Sequence, residues 1–540
     1  MTSPILSIAS SALQVTQQAL DTTSHNIANV NTQGYSRQRV EAVAREPQFI
    51  GAGFLGTGVQ TATIQRLYDR FLEAQLQASS ANLAEVDQYL RLGAQIDNLI
   101  ADPDAGLPSA LANFFNAVHD VASDPTSIPA RQTLLSEAQT LTGRFHSLDA
   151  RLKAINRQVF NDLDTTAQTV TALAKQVADL NRRIIAKSGS APPNDLLDQR
   201  DALIQQLAEK VRVSQVVQKN GAVSLFIGNG QALVQDVQAF ELRVQPNALN
   251  PEQPEVLLIT PATTVTVTKQ IQGGEMGGSL RFIGEVLEPT RAKLGRIAAG
   301  LALEFNALHQ TGFDLDGGTG KDFFTPLTIP VAQTGSGTIS VAYANAADLK
   351  PSDYLLEYDG STYTLTRLSD KTQTTLTGFP ATVDGLQIAF TSLPTGPSTF
   401  LIRPTAEAAA NLQPALTDPR DIQAAQVDTS GGAIGDNGVA LGLAALEASK
   451  ILLGGRATLQ EAYQQTAAEV GTLIRSARVA QEAQDALKQQ AIQAREQISG
   501  VNLDEEAANL LKFQQAYQAA AHVVSVAQQT FDTLISAIRR

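Results

Sequence analysis

Two stretches of this 540-residue chain carry residue types at spacings that could hold a cofactor or an ion. Gly51-Ala-Gly53-Phe-Leu-Gly56 matches G-x-G-x-x-G, in which glycines let the backbone approach a pyrophosphate at a helix N-terminus. No strand–helix–strand context precedes it, and Leu76 stands about 20 residues on, where an acid would meet the ribose. Asp314-Leu-Asp316-Gly-Gly-Thr-Gly-Lys-Asp322 has the look of a calcium loop. Numbered from Asp314, it puts Gly318 at the third ligand position and Thr325 where a bidentate Glu belongs. His25, His119, His146, His309 and His522 are scattered without metal-ligand spacing. With no Cys there is no thiolate ligand or nucleophile, and no G-x-S-x-G elbow occurs. The pair Glu505-Glu506 opens a helix, where capping and the helix dipole explain it. The expectation is no enzyme, no catalytic residue, no metal and no cofactor, with both glycine-rich stretches acting as loops or turns.

Composition narrows the classes further. Net charge is −13, hydrophobic content 43% and aromatic content 5%, with no Trp. Acidity without a basic stripe argues against a nucleic-acid partner, and no apolar run reaches the roughly 18 residues of a membrane span. Residues 1–11 lack the basic region of a signal peptide, so a chain that leaves the cell would use a route without N-terminal cleavage. Absence of Cys suits a chain threaded unfolded through an export channel.

The elements that would position any function are at the two ends. Leu6, Leu13, Leu20 and Ile27 repeat every seventh residue, as do Leu503, Leu510, Tyr517, Val524, Phe531 and Ile538. On a helix of about 3.6 residues per turn, this period makes a narrow seam that needs partner helices. Ser3-Pro4 starts the first helix and 31–34 ends it, with Gly34 able to take positive φ. Asn502 caps the last helix, Glu505 completes a capping box, and Arg539 and Arg540 complement its negative end. Phe513, Ala520, Ala527 and Leu534 form a second stripe, three residues after each heptad position. Periodicity leaves open packing within one chain, and favours pairing that extends to other subunits.

Between the ends, residues 51–58 read as a flexible loop. Helices are expected over about 67–99, 107–123, 129–187 and 195–210. Lys219-Asn-Gly221 between two apolar runs signals a hairpin, with further strands near 239–244, 256–260 and 263–268. Helix returns over 278–308. Residues 325–404 form a second β block of sandwich or barrel type, and one long helix is expected over 439–499. The fold class is mainly α with inserted β: a long antiparallel helical rod formed by both chain ends, with a mid-chain β domain. The domains would be 1–40 plus 500–540 (terminal helices), 41–324 plus 405–499 (helical rod, with a β-hairpin region near 211–268), and 325–404 (outer β domain).

Ser24-His-Asn-Ile-Ala-Asn-Val-Asn-Thr-Gln-Gly-Tyr-Ser-Arg-Gln38 resembles the N-terminal signature of bacterial flagellar rod, hook and hook-associated proteins. The stretch from Ser499 through Asn502-Leu-Asp-Glu-Glu506 and Phe513-Gln-Gln-Ala-Tyr517 to Phe531-Asp-Thr-Leu534 resembles the matching C-terminal signature. Gln33 stands where Pro is usual in that family and Ala520 where Asn is usual. The resemblance implies a structural subunit at the hook–filament junction, secreted by the flagellar type III route. Its terminal helices would line an inner tube, and its β domain would face outward. The implied assembly interface is Leu6, Leu13, Leu20, Asn26, Ile27, Asn29, Asn31, Gly34 and Tyr35, with Leu503, Leu510, Phe513, Tyr517, Val524, Phe531, Leu534 and Ile538. Implied partners are further copies of the chain in a helical or ring oligomer, the hook protein, hook-associated protein 3, and an export chaperone on the C-terminal helix. Neither nucleic acid nor membrane is implied. Alternatives are another axial protein of the family or, in a different class, a secreted coiled-coil effector or adhesin.

Overall fold

The computed structural model describes residues 4–51, 53–102, 106–187, 189 and 191–538. The expected cap at Ser3 and the basic Arg539 and Arg540 lie outside the described residues. The chain opens with helix α1 (Pro4–Ala28) and a two-stranded ribbon, β1 (Gln38–Ala44) against β4 (Val59–Arg66). The tip of that ribbon is a second, smaller hairpin, β2 (Gln48–Phe49) with β3 (Phe54–Leu55). Four helices follow: α2 (Arg70–Ala101), α3 (Leu107–Ser123), α4 (Ile128–Lys187) and α5 (Asn194–Lys210). At about 1.5 Å per residue, the 60-residue α4 is roughly 90 Å long. Its apolar stripe, including Leu134, Leu141, Leu148, Leu152, Val159, Leu163, Val170 and Val177, is buried along that length.

A four-stranded sheet β5–β8 (213–239) and a three-stranded sheet β9–β11 (241–266) come next. The region expected as one helix over 278–308 begins at Gly274. It consists of α6 (Gly274–Phe282), a π-helical turn over Ile283–Leu287, and α7 (Glu288–His309). The second β block holds eight strands, β12–β19, between Val331 and Ile402. They form a five-stranded sheet of order β12-β19-β14-β15-β16 and a three-stranded sheet β13-β18-β17. Its first and last strands are neighbours, with Val331 opposite Ile402. The chain therefore enters and leaves this block side by side.

After the short α8 (Ala408–Asn411), the helix expected over 439–499 is two helices, α9 (Gly438–Ala445) and α10 (Leu459–Ser499). In the connection between them Leu453, Gly454 and Gly455 take φ of 58°, 69° and 76°, through which a helix cannot run. A full capping box at Thr458 and Glu461 then restarts the helix. The last helix is α11 (Leu503–Ile538). The mainly α fold with an inserted β domain agrees with the sequence reading; the ribbon β1–β4 and its tip were not foreseen.

The core centres on Phe114, Phe305, Phe323 and Phe324, all fully buried, with the Phe305 and Phe323 ring centroids 4.7 Å apart. At the root of the β domain, Gly295 of α7 faces the Thr405 backbone so closely that a Cβ would lie 1.7 Å from its carbonyl oxygen. Charged groups clamp the same root. Arg403 donates to Glu252 at 2.9 Å and to Asp353 at 3.1 Å. Arg291 of α7 donates to the same Glu252 at 3.1 Å.

Candidate assembly interface

α1 lies between two partners. One face meets the ribbon: Ser11 accepts from the Val59 amide at 3.2 Å, and Thr61 donates to Gln18. Gly58, at φ 109°, lets the ribbon approach, since a Cβ there would lie 2.2 Å from the Ser11 hydroxyl oxygen. At 100° per residue, the half-buried Leu6, Leu13, Leu20 and Ile27 lie on the opposite face, toward α11. α11 runs antiparallel to α1, because its first turn meets the last turn of α1 at Asn26 and Glu506. Along α11 the side chains least exposed to solvent are Glu506, Asn509, Leu510, Phe513, Ala520, Val524 and Ala527, the apolar ones among them Leu510, Phe513, Ala520, Val524 and Ala527. Their spacing of four and three merges the two expected stripes into one seam.

Where the pair joins the body, the chain ties a polar knot. Asn26, 1% exposed, accepts from the Gln38 amide at 2.9 Å and the Tyr35 hydroxyl at 2.8 Å. It donates to the Gln38 carbonyl at 2.9 Å and to Glu506 at 3.1 Å. Arg37 holds both acids of α11, donating at 2.6 Å to Glu506 and at 2.6 Å to Glu505. Its amide donates to the Ser499 carbonyl at 2.9 Å, binding the end of α10. The Ser36 amide donates to Asp198 of α5 at 3.0 Å, and Gln38 to Asp195 at 3.1 Å. Arg66 of β4 bridges Asp198 at 2.8 Å and Asp201 at 2.7 Å. Gly34, at φ 84°, makes the turn that brings Tyr35 back onto Asn26.

Electrostatics agree with these roles. Burial pushes the Tyr35 hydroxyl pKa up, and the charges of Asp198, Asp195 and Glu506 push it further, so it stays a proton donor. Burial raises the Asp198 carboxyl, against the opposing pull of Arg66. For Arg37, burial works against the charge, but Glu505 and Glu506 outweigh it and the pKa rises.

The structure places the expected interface residues in three groups. Asn26, Gly34 and Tyr35 sit in the knot; Asn29 folds back onto its own helix, donating to the His25 carbonyl at 2.9 Å. Leu6, Leu13, Leu20, Ile27, Leu510, Phe513 and Val524 line the intrachain seam. Asn31, Leu503, Tyr517, Phe531 and Leu534 are exposed, and the side chain of Ile538 lies outside those described. Sequence reasoning missed Arg37, Glu506, Arg66 and the Asp195, Asp198 and Asp201 triplet as knot members. The three-residue spacing of those acids along α5 was the available signal.

Neither cofactor pattern builds a cofactor site. Gly51 and Gly53 lie in the turn between β2 and β3, with no helix following. In the Asp314 turn the Lys321 ammonium takes the central place, donating to Asp314 at 2.7 Å and Asp421 at 2.6 Å.

Family models match both ends of the chain and its middle. One described as the flagellar hook-associated protein FlgK helical domain matches residues 93–324, and a hook-associated protein 1 D2-like domain matches 331–404. Rod-protein models match 6–35 and 492–537. Flagellar hook-associated protein 1 of Escherichia coli K12 is 31% identical over 547 residues, covering 99% of this chain and 100% of the relative. The protein of the same name from Salmonella typhimurium is 32% identical over 555 residues, covering 99% and 100%. The solved structure of the flagellar hook junction protein FlgK from Burkholderia pseudomallei superposes with a TM-score of 0.73 at 24% identity. It covers 79% of this chain and 100% of that one.

Proposed function

Because the chain belongs to the flagellar hook-associated protein 1 family, we propose that it is a structural subunit joining the flagellar hook to the filament. The observation that carries this reading is the knot. The two signature stretches, 24–38 and 499–517, meet to hold an antiparallel helix pair against the body. In this reading residues 1–40 with 500–540 form the inner wall of a tube, the helical body surrounds it, and the β domain of 325–404 faces outward. The chain acts outside the cell, reached by flagellar type III export, and performs no catalysis. Its partners are copies of itself, the hook protein and hook-associated protein 3. A chaperone covers α11 before export, when its seam has no α1 to meet. The interface residues that α1 and α11 leave exposed, Leu503, Tyr517, Phe531 and Leu534, then contact neighbouring subunits.

Deletion of the coding sequence tests this. The deletion strain is expected to complete hooks, bear no filaments and lose flagellin to the medium; normal filaments would refute the reading.

A further inference from the structure

The hairpin β2–β3 is hard to explain in a single chain. Phe49, Ile50, Phe54 and Leu55 are 62, 57, 74 and 40% exposed. Phe49 and Phe54 contact each other with ring centroids 5.3 Å apart. The ladder joining them is two residues long, and a two-stranded hairpin of that size has little stability of its own in water. Its four apolar side chains present roughly 500 Å² to solvent, at the upper end of what monomers expose without a use for it.

The surroundings say what would cover it. No charged residue occurs between Glu46 and Arg66, although 17% of the chain is charged. The terminal helices share this character. Asp21 is the only Asp, Glu, Lys or Arg in α1, and none occurs between Lys512 and Asp532 in α11. On that uncharged pair, Ile5, Ile8, Val523, Val526, Phe531, Leu534 and Ile535 remain exposed. Because α11 is antiparallel to α1, these residues gather at the end of the pair remote from the knot. The ribbon runs toward that end, from Gln38 beside Asn26 to Val59 beside Ser11. Tip and row are each several hundred Å², comparable surfaces without charge. A standard interface needs about 800 Å² per partner, so the tip alone is too small for a lasting dimer and holds only where helices from neighbouring copies also pack.

We propose that the β2–β3 tip is an intersubunit clasp, seating Phe49, Ile50, Phe54 and Leu55 on the uncharged face of the terminal helix pair of a second copy of this chain. This rests on the reading of the chain as a self-assembling axial subunit. The anchor of the ribbon on Ser11 and Gln18 holds the tip at a fixed position relative to its own helices, so each copy offers one clasp and one seat.

The absence of Cys makes a clean test possible. Full-length Phe54→Cys chains are co-expressed in the deletion strain with chains carrying one Cys at Val523, Val526, Leu534 or Ile535, and isolated flagella are oxidised. Disulfide-linked dimers of two different copies are expected for at least one of the four pairs. No mixed dimer with any of them, or only Phe54→Cys linked to itself, would overturn the clasp. In parallel, the Phe49→Ser/Phe54→Ser chain is expected to keep its melting temperature and fall at least tenfold in incorporation. Wild-type incorporation of that chain, or co-sedimentation of the wild-type but not the variant with phosphatidylglycerol vesicles, would also overturn it. Filaments on the deletion strain would instead defeat the axial reading itself, so the two failures are distinguishable.

Discussion

His309 is fully buried and fixed in one neutral tautomer: Nδ1 donates to the Lys321 carbonyl at 2.8 Å, and Nε2 accepts from the Gln423 amide at 2.9 Å. Burial pushes its pKa down from 6.5 to about 4. The unfolded chain therefore binds this proton more readily. The contribution of His309 is fully present above pH 6.5 and is lost as pH falls toward 4, amounting to about 3 kcal/mol. Calorimetry should find the melting temperature of the wild type falling more steeply between pH 6.5 and 4.5 than that of His309→Gln. Asn26 offers a second test. Removing its amide leaves the Tyr35 hydroxyl, the Gln38 amide and Glu506 short of a partner, at a cost of roughly 2–3 kcal/mol. Asn26→Ala should speed amide hydrogen exchange in α1 and α11 and leave α4 unchanged. The importance of Asn26 and Tyr35 was visible in the sequence as part of a signature, but their bonds were not. The partner that Asn26 finds on α11, Glu506, is 480 residues away, beyond any local pattern.

At the scale of elements, α1 and α11 need each other, and their shared seam is narrow. Leu510→Asp or Val524→Asp would put a charge into that seam, where it has no countercharge. Each is expected to block incorporation into the flagellum, while near-UV circular dichroism of the body stays native. Incorporation at wild-type level would show that the seam is not needed for assembly. Long helices such as α4 were legible because their apolar period persists for many turns. The ribbon β1–β4 was not, since half-exposed strands of seven and eight residues against one helix carry a weak alternation. The split between α9 and α10 was legible in principle: Gly454-Gly455 and the Thr458–Glu461 box are stop and start signals, masked by a continuous Ala- and Leu-rich composition.

At the scale of the whole molecule, the β domain is an appendage with one root. Val331 and Ile402 lie on adjacent strands, and the clamp of Arg403, Glu252, Arg291 and Asp353 sits beside them. Replacing residues 331–402 with a short Gly/Ser linker should leave the helical body folded, with its main melting transition within a few degrees of the full chain. Loss of that transition would show that the body depends on the domain. The placement of this block was legible from its Thr-, Gly- and Tyr-rich composition; the clamp was not, because its members come from four separate elements. The knot joins Asn26 to Glu506 across 480 residues of chain. Among the described residues, no hydrogen bond closes a longer loop than the one that ties this terminal helix pair. A chain that stopped after α10 would keep every helix of the body but leave Leu13, Leu20 and the Asn26 amide without α11. The geometry thus acts as a completeness check: only a chain made through its last helix has a closed terminal pair to offer.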